Sequence, residues 1–365
     1  MTLFARTRLA LSCILLGLSA CGCDQDKVVA PSATSASATS DAREPERVQA
    51  AMKELIGQQL QRWLAATRKL QAAAPEPSDR GWDKQLDAES INQMKAHWLE
   101  GRGAYELIEG AIAPTFPESD AAADARYDDF LGLLGGTGDH QPFDDKGIVG
   151  MHAIERILWA DSIPDIVVTF ERGIPGYKPA AQPANAEEAK DFKHKLVVHL
   201  ATDIETLKRQ FSTVELDIAF AFRGLIDLAV EQAEKVDLAA TGQEESRYAQ
   251  TTMRDLRANY QGCLDAYALF KPWLANRPDG VAIDAKVSAA FERLRVAYAA
   301  VPGDAIPRPP TTWSSLEPSA ADAESSFGKL FLAVSAETDD AKPGSLHHSL
   351  IRVADALGLP KRVTQ

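Results

Sequence analysis

Apolar side chains recur at intervals of three and four residues along most of the chain, which is the spacing of one face of an α-helix. The clearest stripe covers residues 45–73, and Pro75-Glu76-Pro77 ends it because proline cannot continue a helix. No stretch alternates apolar and polar positions as a half-buried strand would. The pattern therefore predicts an all-α protein. Further stripes predict helices over residues 90–112, 119–134, 147–160, 187–211, 214–236, 244–270, 282–300, 319–336 and 345–357.

The predicted helices fall into two groups of similar size. Residues 164–183 between them hold several prolines and glycines, which is typical of a connection rather than of a helix. We therefore expect two tandem antiparallel helical bundles, one over residues 44–180 and one over residues 181–365.

The first 20 residues have the pattern of a secretion signal. Arg6 and Arg8 precede an apolar run over residues 9–18, which is too short for a lasting membrane span. Leu18-Ser19-Ala20 stands directly before Cys21. This order resembles a bacterial lipobox, in which the cysteine is lipidated and becomes the new N-terminus. An ordinary cleaved signal peptide is the alternative.

Residues 21–43 are rich in Ser, Ala, Thr and Asp and hold few large apolar side chains. Such a segment buries too little apolar surface to fold, so it predicts a flexible tether. Gly22, not Asp, follows the cysteine. In a Gram-negative cell we expect a periplasmic protein, anchored through Cys21 to the inner leaflet of the outer membrane.

The charge balance argues against nucleic acid as a partner. Acidic residues number 52 against 39 Lys and Arg, and the formal net charge is −13. A chain of this sign is repelled by phosphate backbones, whereas it is compatible with the collection of cations.

Two predicted helices each carry a pair of metal-binding residue types three positions apart. Glu106 and Glu109 form one pair, and His152 and Glu155 form the other. Positions i and i+3 share a helix face, so each pair can point at one spot, and facing helices in a bundle commonly build metal sites in this way. Asp124 could add a third element. An oxygen-rich site with one nitrogen suits iron and tolerates zinc or copper.

The same segments carry a resemblance to a known family. The chain is similar to the imelysin family and, within it, to the EfeM/EfeO-like iron-uptake proteins, over roughly residues 45–360. The motifs are Trp-Leu-Glu-Gly-Arg-Gly-Ala-Tyr-Glu-Leu-Ile-Glu over residues 98–109, Asp124-Ala125-Arg126, Gly150-Met151-His152-Ala153-Ile154-Glu155 and Thr241-Gly242-Gln243-Glu244-Glu245-Ser246-Arg247-Tyr248.

The resemblance implies a periplasmic protein that binds iron, as Fe³⁺ or Fe²⁺, and hands it to a membrane partner such as an iron permease or a peroxidase. It implies that Glu106, Glu109, Asp124 and His152 are ligands, with Glu155 as a further ligand or as the group that orients the histidine. The gap between Asp124 and His152 is longer than is usual in the family, and Asp128 and Asp129 are substitutes for Asp124.

The wider family has been classed with peptidases, so a metallopeptidase that uses the His-x-x-Glu site is the alternative function. Glu155 would then serve as the general base. The usual zinc peptidase helix reads His-Glu-x-x-His, and this chain lacks it. We therefore expect a binding protein and not an enzyme.

Overall fold

The computed structural model describes residues 43–133, 135 and 141–359, and this part of the chain contains helices and no strand. The all-α prediction is confirmed. The expected signal, most of the tether, Cys21 and most of the insertion before His152 lie outside the described residues. The helices are α1 (Glu44–Ala73), α2 (Ala88–Glu106), α3 (Glu109–Ile112), α4 (Pro117–Asp124), α5 (Tyr127–Leu133), α6 (Gly150–Leu158), α7 (Asp165–Arg172), α8 (Ala186–Asp191), α9 (Val197–Thr213), α10 (Ile218–Leu238), α11 (Thr252–Ala275), α12 (Gly280–Ala299), α13 (Ala320–Glu324), α14 (Ser326–Thr338) and α15 (Leu346–Leu357).

The long first helix organises the core. Its buried stripe includes Val48, Met52, Ile56, Leu60 and Trp63, which are all almost completely inaccessible to solvent. These positions are spaced by three or four residues, so they form one continuous apolar ridge. The ridge packs along α2 on one side and along α9 on the other.

The predicted helix over residues 90–112 is interrupted in the structure. Helix α2 ends at Glu106, and the short α3 begins at Glu109. In an unbroken helix the carbonyl of Glu106 would accept from the amide four residues later, but here the side-chain amide of Asn259 donates to it at 2.9 Å. The backbone at Leu107 also lies directly against Gly262 of α11. The side chain of Asn259 on α11 therefore replaces the backbone amide that would have bonded to this carbonyl if α2 had continued.

The predicted helix over residues 244–270 begins later than expected. Helix α11 begins at Thr252, and residues 244–251 form turns. The backbone N–H of Ser246 donates to the hydroxyl of Thr252 at 3.1 Å, and the N–H of Gln250 donates to the Ser246 carbonyl at 2.9 Å. Glu245 consequently lies in a turn in front of a helix instead of on a helix face.

Helices α4 and α6 meet at a glycine. Gly150, the first residue of α6, has a φ of +86°, and a Cβ there would lie 2.7 Å from the carbonyl oxygen of Ala123. Only glycine combines this backbone conformation with so close an approach. The contact brings the end of α4, with Asp124, beside the start of α6, with His152.

The division into two bundles near residue 180 stays a prediction. Helices from the two sides of that position pack on each other, since α10 contacts α3 and α11 contacts α2. Within the described range, none of the helices is both long enough and apolar enough to traverse a lipid bilayer.

We predict that Gly150→Ala lowers the free energy of unfolding by at least about 2 kcal/mol, because alanine is strained at positive φ and its methyl group would overlap the Ala123 carbonyl. Urea unfolding followed by circular dichroism measures the change. The matched control is Gly57→Ala in the interior of α1, where an added methyl group meets nothing within 4 Å. Helix propensity should stabilise that variant by up to about 1 kcal/mol. Equal stabilities of the two variants would contradict the role of Gly150.

Candidate metal centre

Three potential ligands converge where α4, α6 and the turn before α11 meet. They are Asp124, His152 and Glu245, each offering a ligand atom within 4.8 Å of the other two. Nε2 of His152 lies 3.2 Å from Oδ1 of Asp124 and 4.0 Å from Oε1 of Glu245. Among the His, Cys, Asp and Glu side chains of the described residues, this trio forms the group whose ligand atoms lie close enough together to share a metal ion.

The spacing fits a first-row metal ion. Ligand atoms that share an ion at about 2.1 Å lie roughly 3 to 4.2 Å apart, depending on the angle between them. The side chain of His152 is only 1% exposed, and its Nε2 makes no hydrogen bond within the described residues. A buried imidazole nitrogen without a partner is costly unless a ligand completes it. The chemistry and the geometry of the trio therefore agree with a metal site.

Glu155 orients the imidazole. Its Oε2 lies 2.7 Å from Nδ1 of His152, and its Oε1 accepts from the backbone N–H groups of Tyr248 and Ala249 at 3.0 and 2.8 Å. A carboxylate only accepts hydrogen bonds, so Nδ1 carries the proton. The lone pair of Nε2 then faces the carboxylates of Asp124 and Glu245. This arrangement is the carboxylate–histidine pair that commonly supports a metal ligand. Both oxygens of Glu155 are engaged, so the structure favours the orienting role among the two predicted for it.

Glu106 and Glu109 lie in the same buried cluster but face cations of the protein. Glu109 accepts from Nζ of Lys235 at 2.8 and 3.0 Å, and Glu106 forms an ion pair with Arg102. Nδ2 of Asn259 donates to one oxygen of each carboxylate, at 2.6 Å for Glu106 and 2.8 Å for Glu109. The structure does not bring either glutamate into the trio. That they ligate a metal stays a prediction.

Asp124, and neither of its two substitutes, reaches His152 in this structure. Asp128 forms an ion pair with Arg247 at 3.0 Å, and a side-chain oxygen of Asp129 accepts from the backbone N–H of Arg126. Asp124 therefore stays beside the imidazole despite the long connection between α4 and α6.

Burial and nearby cations shift the pKa values of the two carboxylates of the trio in opposite directions. Burial raises the pKa of Asp124 to about 7, even though the guanidinium of Arg102 opposes this change. It would also raise the pKa of Glu245, but the combined positive charges of Lys235, Arg102 and Arg126 lower that pKa well below its ordinary value.

The imidazole is kept neutral by the same environment. Burial lowers the pKa of His152, and its hydrogen bond with Glu155 opposes that change without cancelling it. A neutral imidazole is the form that binds a metal.

Sequence reasoning missed three members of the cluster. Glu245 and Arg102 each lie within a family motif but are not predicted as members of the site. Lys235 lies in no motif, and its spacing predicts no role. The adjacent acids Glu244-Glu245, both buried, are unusual in so short a segment and could have marked Glu245. The i,i+4 spacing rule connects Arg102 to Glu106 on one helix, but no spacing rule connects Arg102 or Lys235 to carboxylates that are distant along the chain.

Comparison with known proteins places the chain in a family. The sequence profile of the imelysin family, also designated peptidase family M75, matches residues 56–326, well over half of the chain. The chain belongs to the imelysin family. The trio, Glu106, Glu109 and Glu155 all lie within the imelysin match.

Curated imelysin relatives include the iron uptake system component EfeO of Escherichia coli K12 and that of Shigella flexneri. Each is 27% identical to this chain over 210 residues, which is 57% of this chain and 44% of the relative. The match therefore spans less than half the length of these relatives. Among solved structures, an imelysin-like protein from Psychrobacter arcticum 273-4 covers 92% of this chain and all of its own, with a TM-score of 0.55 and 11% identity. That likeness concerns the fold.

We predict that His152 of the metal-free protein titrates with a midpoint below about 6.5, the ordinary value for a histidine. Burial disfavours the charged imidazolium, so the ring stays neutral to lower pH than an exposed histidine. Nuclear magnetic resonance of the ring, assigned through His152→Gln, measures the midpoint. Glu155→Gln should lower it further, because the carboxylate favours the imidazolium. A midpoint above 6.5 in the parent protein would mean that Glu155 outweighs burial.

Proposed function

We propose that this imelysin protein binds iron as cargo at Asp124, His152 and Glu245 and delivers the ion to a membrane partner in an iron-uptake system. The observation that carries the proposal is the buried imidazole nitrogen without a partner, which faces two carboxylates at ligand spacing. The similarity to EfeO, an iron uptake system component, supports it.

The donor set favours iron over its competitors. Two carboxylates and one imidazole make an oxygen-rich site with a single nitrogen and no thiolate, which suits Fe³⁺ or Fe²⁺. Zinc and copper also accept imidazole and carboxylate ligands, so they are the expected competitors. Water or an oxygen of the delivered iron complex would complete the coordination.

The exposure of the ligands indicates how an ion enters. The side chain of Asp124 is 14% exposed and that of Glu245 is 9% exposed, whereas His152 is almost fully enclosed. We expect an ion to meet the two carboxylates first and then the imidazole.

The peptidase alternative has weaker support. Metal-assisted hydrolysis needs a free general base beside the metal-bound water. Glu155 is the residue expected for that role, but one of its oxygens faces His152 and the other accepts two backbone N–H groups. Its geometry suits the support of a ligand better than proton transfer. Metal-dependent cleavage of a generic peptide that disappears in Glu155→Ala would overturn this judgement.

The pattern of residues 1–21 is the basis for a proposed location of the protein. We propose that it is periplasmic and is anchored through lipidated Cys21 to the inner leaflet of the outer membrane. The segment over residues 21–43 would then hold the helical part away from the membrane, within reach of an iron permease or a peroxidase.

We predict that His152→Ala, Asp124→Asn and Glu245→Gln each weaken iron binding at least tenfold, because each removes one donor from the ion. Isothermal titration with Fe²⁺ under anaerobic conditions, and with Fe³⁺ supplied as its nitrilotriacetate complex, measures the affinity. Circular dichroism should show unchanged helix content.

The matched control is His199→Ala on α9, a partly exposed histidine that lies 3.4 Å from Asp203. Its iron affinity should equal that of the parent protein. Parent-like affinity in all three ligand variants would remove the trio from the site. A loss confined to Glu106→Gln or Glu109→Gln would transfer the site to those residues.

We predict that Cys21→Ser releases the protein into the soluble periplasmic fraction, because the cysteine sulfur is the atom that carries the lipid. Fractionation and labelling with radioactive palmitate measure the change. Cys263→Ser is the control, since that cysteine is buried and free, and it should leave the fractionation unchanged. Membrane association that survives in Cys21→Ser would contradict the proposed anchor.

A further inference from the structure

Arg102 holds the two carboxylates of the proposed metal site. One terminal nitrogen of its guanidinium donates to Oδ1 of Asp124, and the other donates to Oε1 of Glu245 at 2.9 Å. The side chain is 1% exposed and is therefore enclosed within the cluster. Charge-assisted hydrogen bonds from a guanidinium to carboxylates are among the stronger polar contacts in proteins.

The oxygens that Arg102 engages are the ones that face His152. Oδ1 of Asp124 lies 3.2 Å from Nε2 of the imidazole, and Oε1 of Glu245 lies 4.0 Å from it. A metal ion held by the trio would use lone pairs of the same two oxygens. It would also place its charge beside the guanidinium, and like charges at this distance repel strongly in a buried site.

The guanidinium also lies close to two further carboxylates, those of Glu106 and Asp255. The second terminal nitrogen also pairs with Glu106, and Nε lies 3.9 Å from Oδ1 of Asp255. Nε of Arg102 and Oδ1 of Asp255 are both buried, and neither makes a hydrogen bond within the described residues. A short movement away from Asp124 and Glu245 would bring these two unsatisfied atoms together.

We propose that Arg102 is a built-in counter-ion of the metal site, which occupies the ligand oxygens of Asp124 and Glu245 and competes with the metal for them. When the ion binds, the guanidinium moves toward Glu106 and Asp255. When the ion leaves, Arg102 returns and neutralises the two carboxylates. This inference rests on the proposed function, because it concerns the same trio of ligands.

The competition gives the site a limited affinity, which suits a protein that must pass its cargo on. Without a competing cation, two buried carboxylates and an imidazole would hold a trivalent ion tightly and release it slowly. With Arg102 in place, each departure of the ion is assisted by the return of a charge already inside the protein.

The test compares stability and affinity in Arg102→Met. Removing the guanidinium breaks the ion pairs of Arg102 with Asp124 and Glu245 and leaves Glu245 with Lys235 at 3.6 Å. The Tm of the metal-free protein should therefore fall by about 5 °C or more. The affinity for Fe³⁺, supplied as its nitrilotriacetate complex, should instead become at least tenfold tighter. The loss of a residue with a purely structural role would lower the Tm without tightening the affinity.

Arg156→Met is the matched control. Arg156 is a buried arginine on α6 that pairs with Glu171 at 3.0 Å and lies outside the trio. Its loss should lower the Tm while changing the affinity by less than threefold. Affinity in Arg102→Met that equals or falls below that of the parent protein, or a gain of equal size in Arg156→Met, would overturn the proposal.

A crystal structure of the parent protein soaked with the Fe³⁺ complex keeps the test decisive if Arg102→Met does not fold. The inference requires the guanidinium to lie beyond 3.5 Å from Oδ1 of Asp124 in the loaded protein, and retention of both contacts would overturn it. Failure of the proposed function has a different signature, because the parent protein would then bind no iron or would bind it equally well after His152→Ala.

Discussion

The structure depends on the balance of charge inside a buried cluster. An isolated carboxylate inside a protein is too costly to remain charged, so each one needs a cation or hydrogen-bond donors. Glu155 has two backbone N–H groups and the imidazole, and Glu109 has Lys235. Asp124 pairs with Arg102, and Glu245 pairs with both Arg102 and Lys235. We propose that the oxygens of Asp124 and Glu245 that Arg102 engages are the ones on which an incoming metal ion acts.

Close contacts between backbones put these groups together. Gly150 allows α6 to begin against the end of α4, and Asn259 takes the carbonyl that would have continued α2 past Glu106. The cluster draws on residues from both sides of position 180, since Glu245 lies beside His152 and Lys235 pairs with Glu109. The cluster is therefore complete only when segments from both sides of position 180 are packed together.

The sequence predicted the helical class and the positions of most helices, because apolar periodicity reports directly which face of a helix is buried. It placed Asp124 and His152 on separate helices with ligand chemistry, and the structure brings them together. It missed the turn over residues 244–251, where side-chain and backbone hydrogen bonds outweigh helical periodicity, and so it missed Glu245. It also could not tell a ligand carboxylate from one that is neutralised inside the protein, since Lys235 and Asn259, which contact Glu106 and Glu109, come from distant segments.

Membership of the imelysin family and similarity to an iron uptake component agree with a cargo site that binds and releases. The most direct test is a crystal of the iron-loaded protein with anomalous diffraction recorded at the iron edge. The account predicts one strong peak within about 2.5 Å of Nε2 of His152 and of carboxylate oxygens of both Asp124 and Glu245. A peak between Glu106 and Glu109 with no contact to His152, or no peak in this cluster, would contradict it.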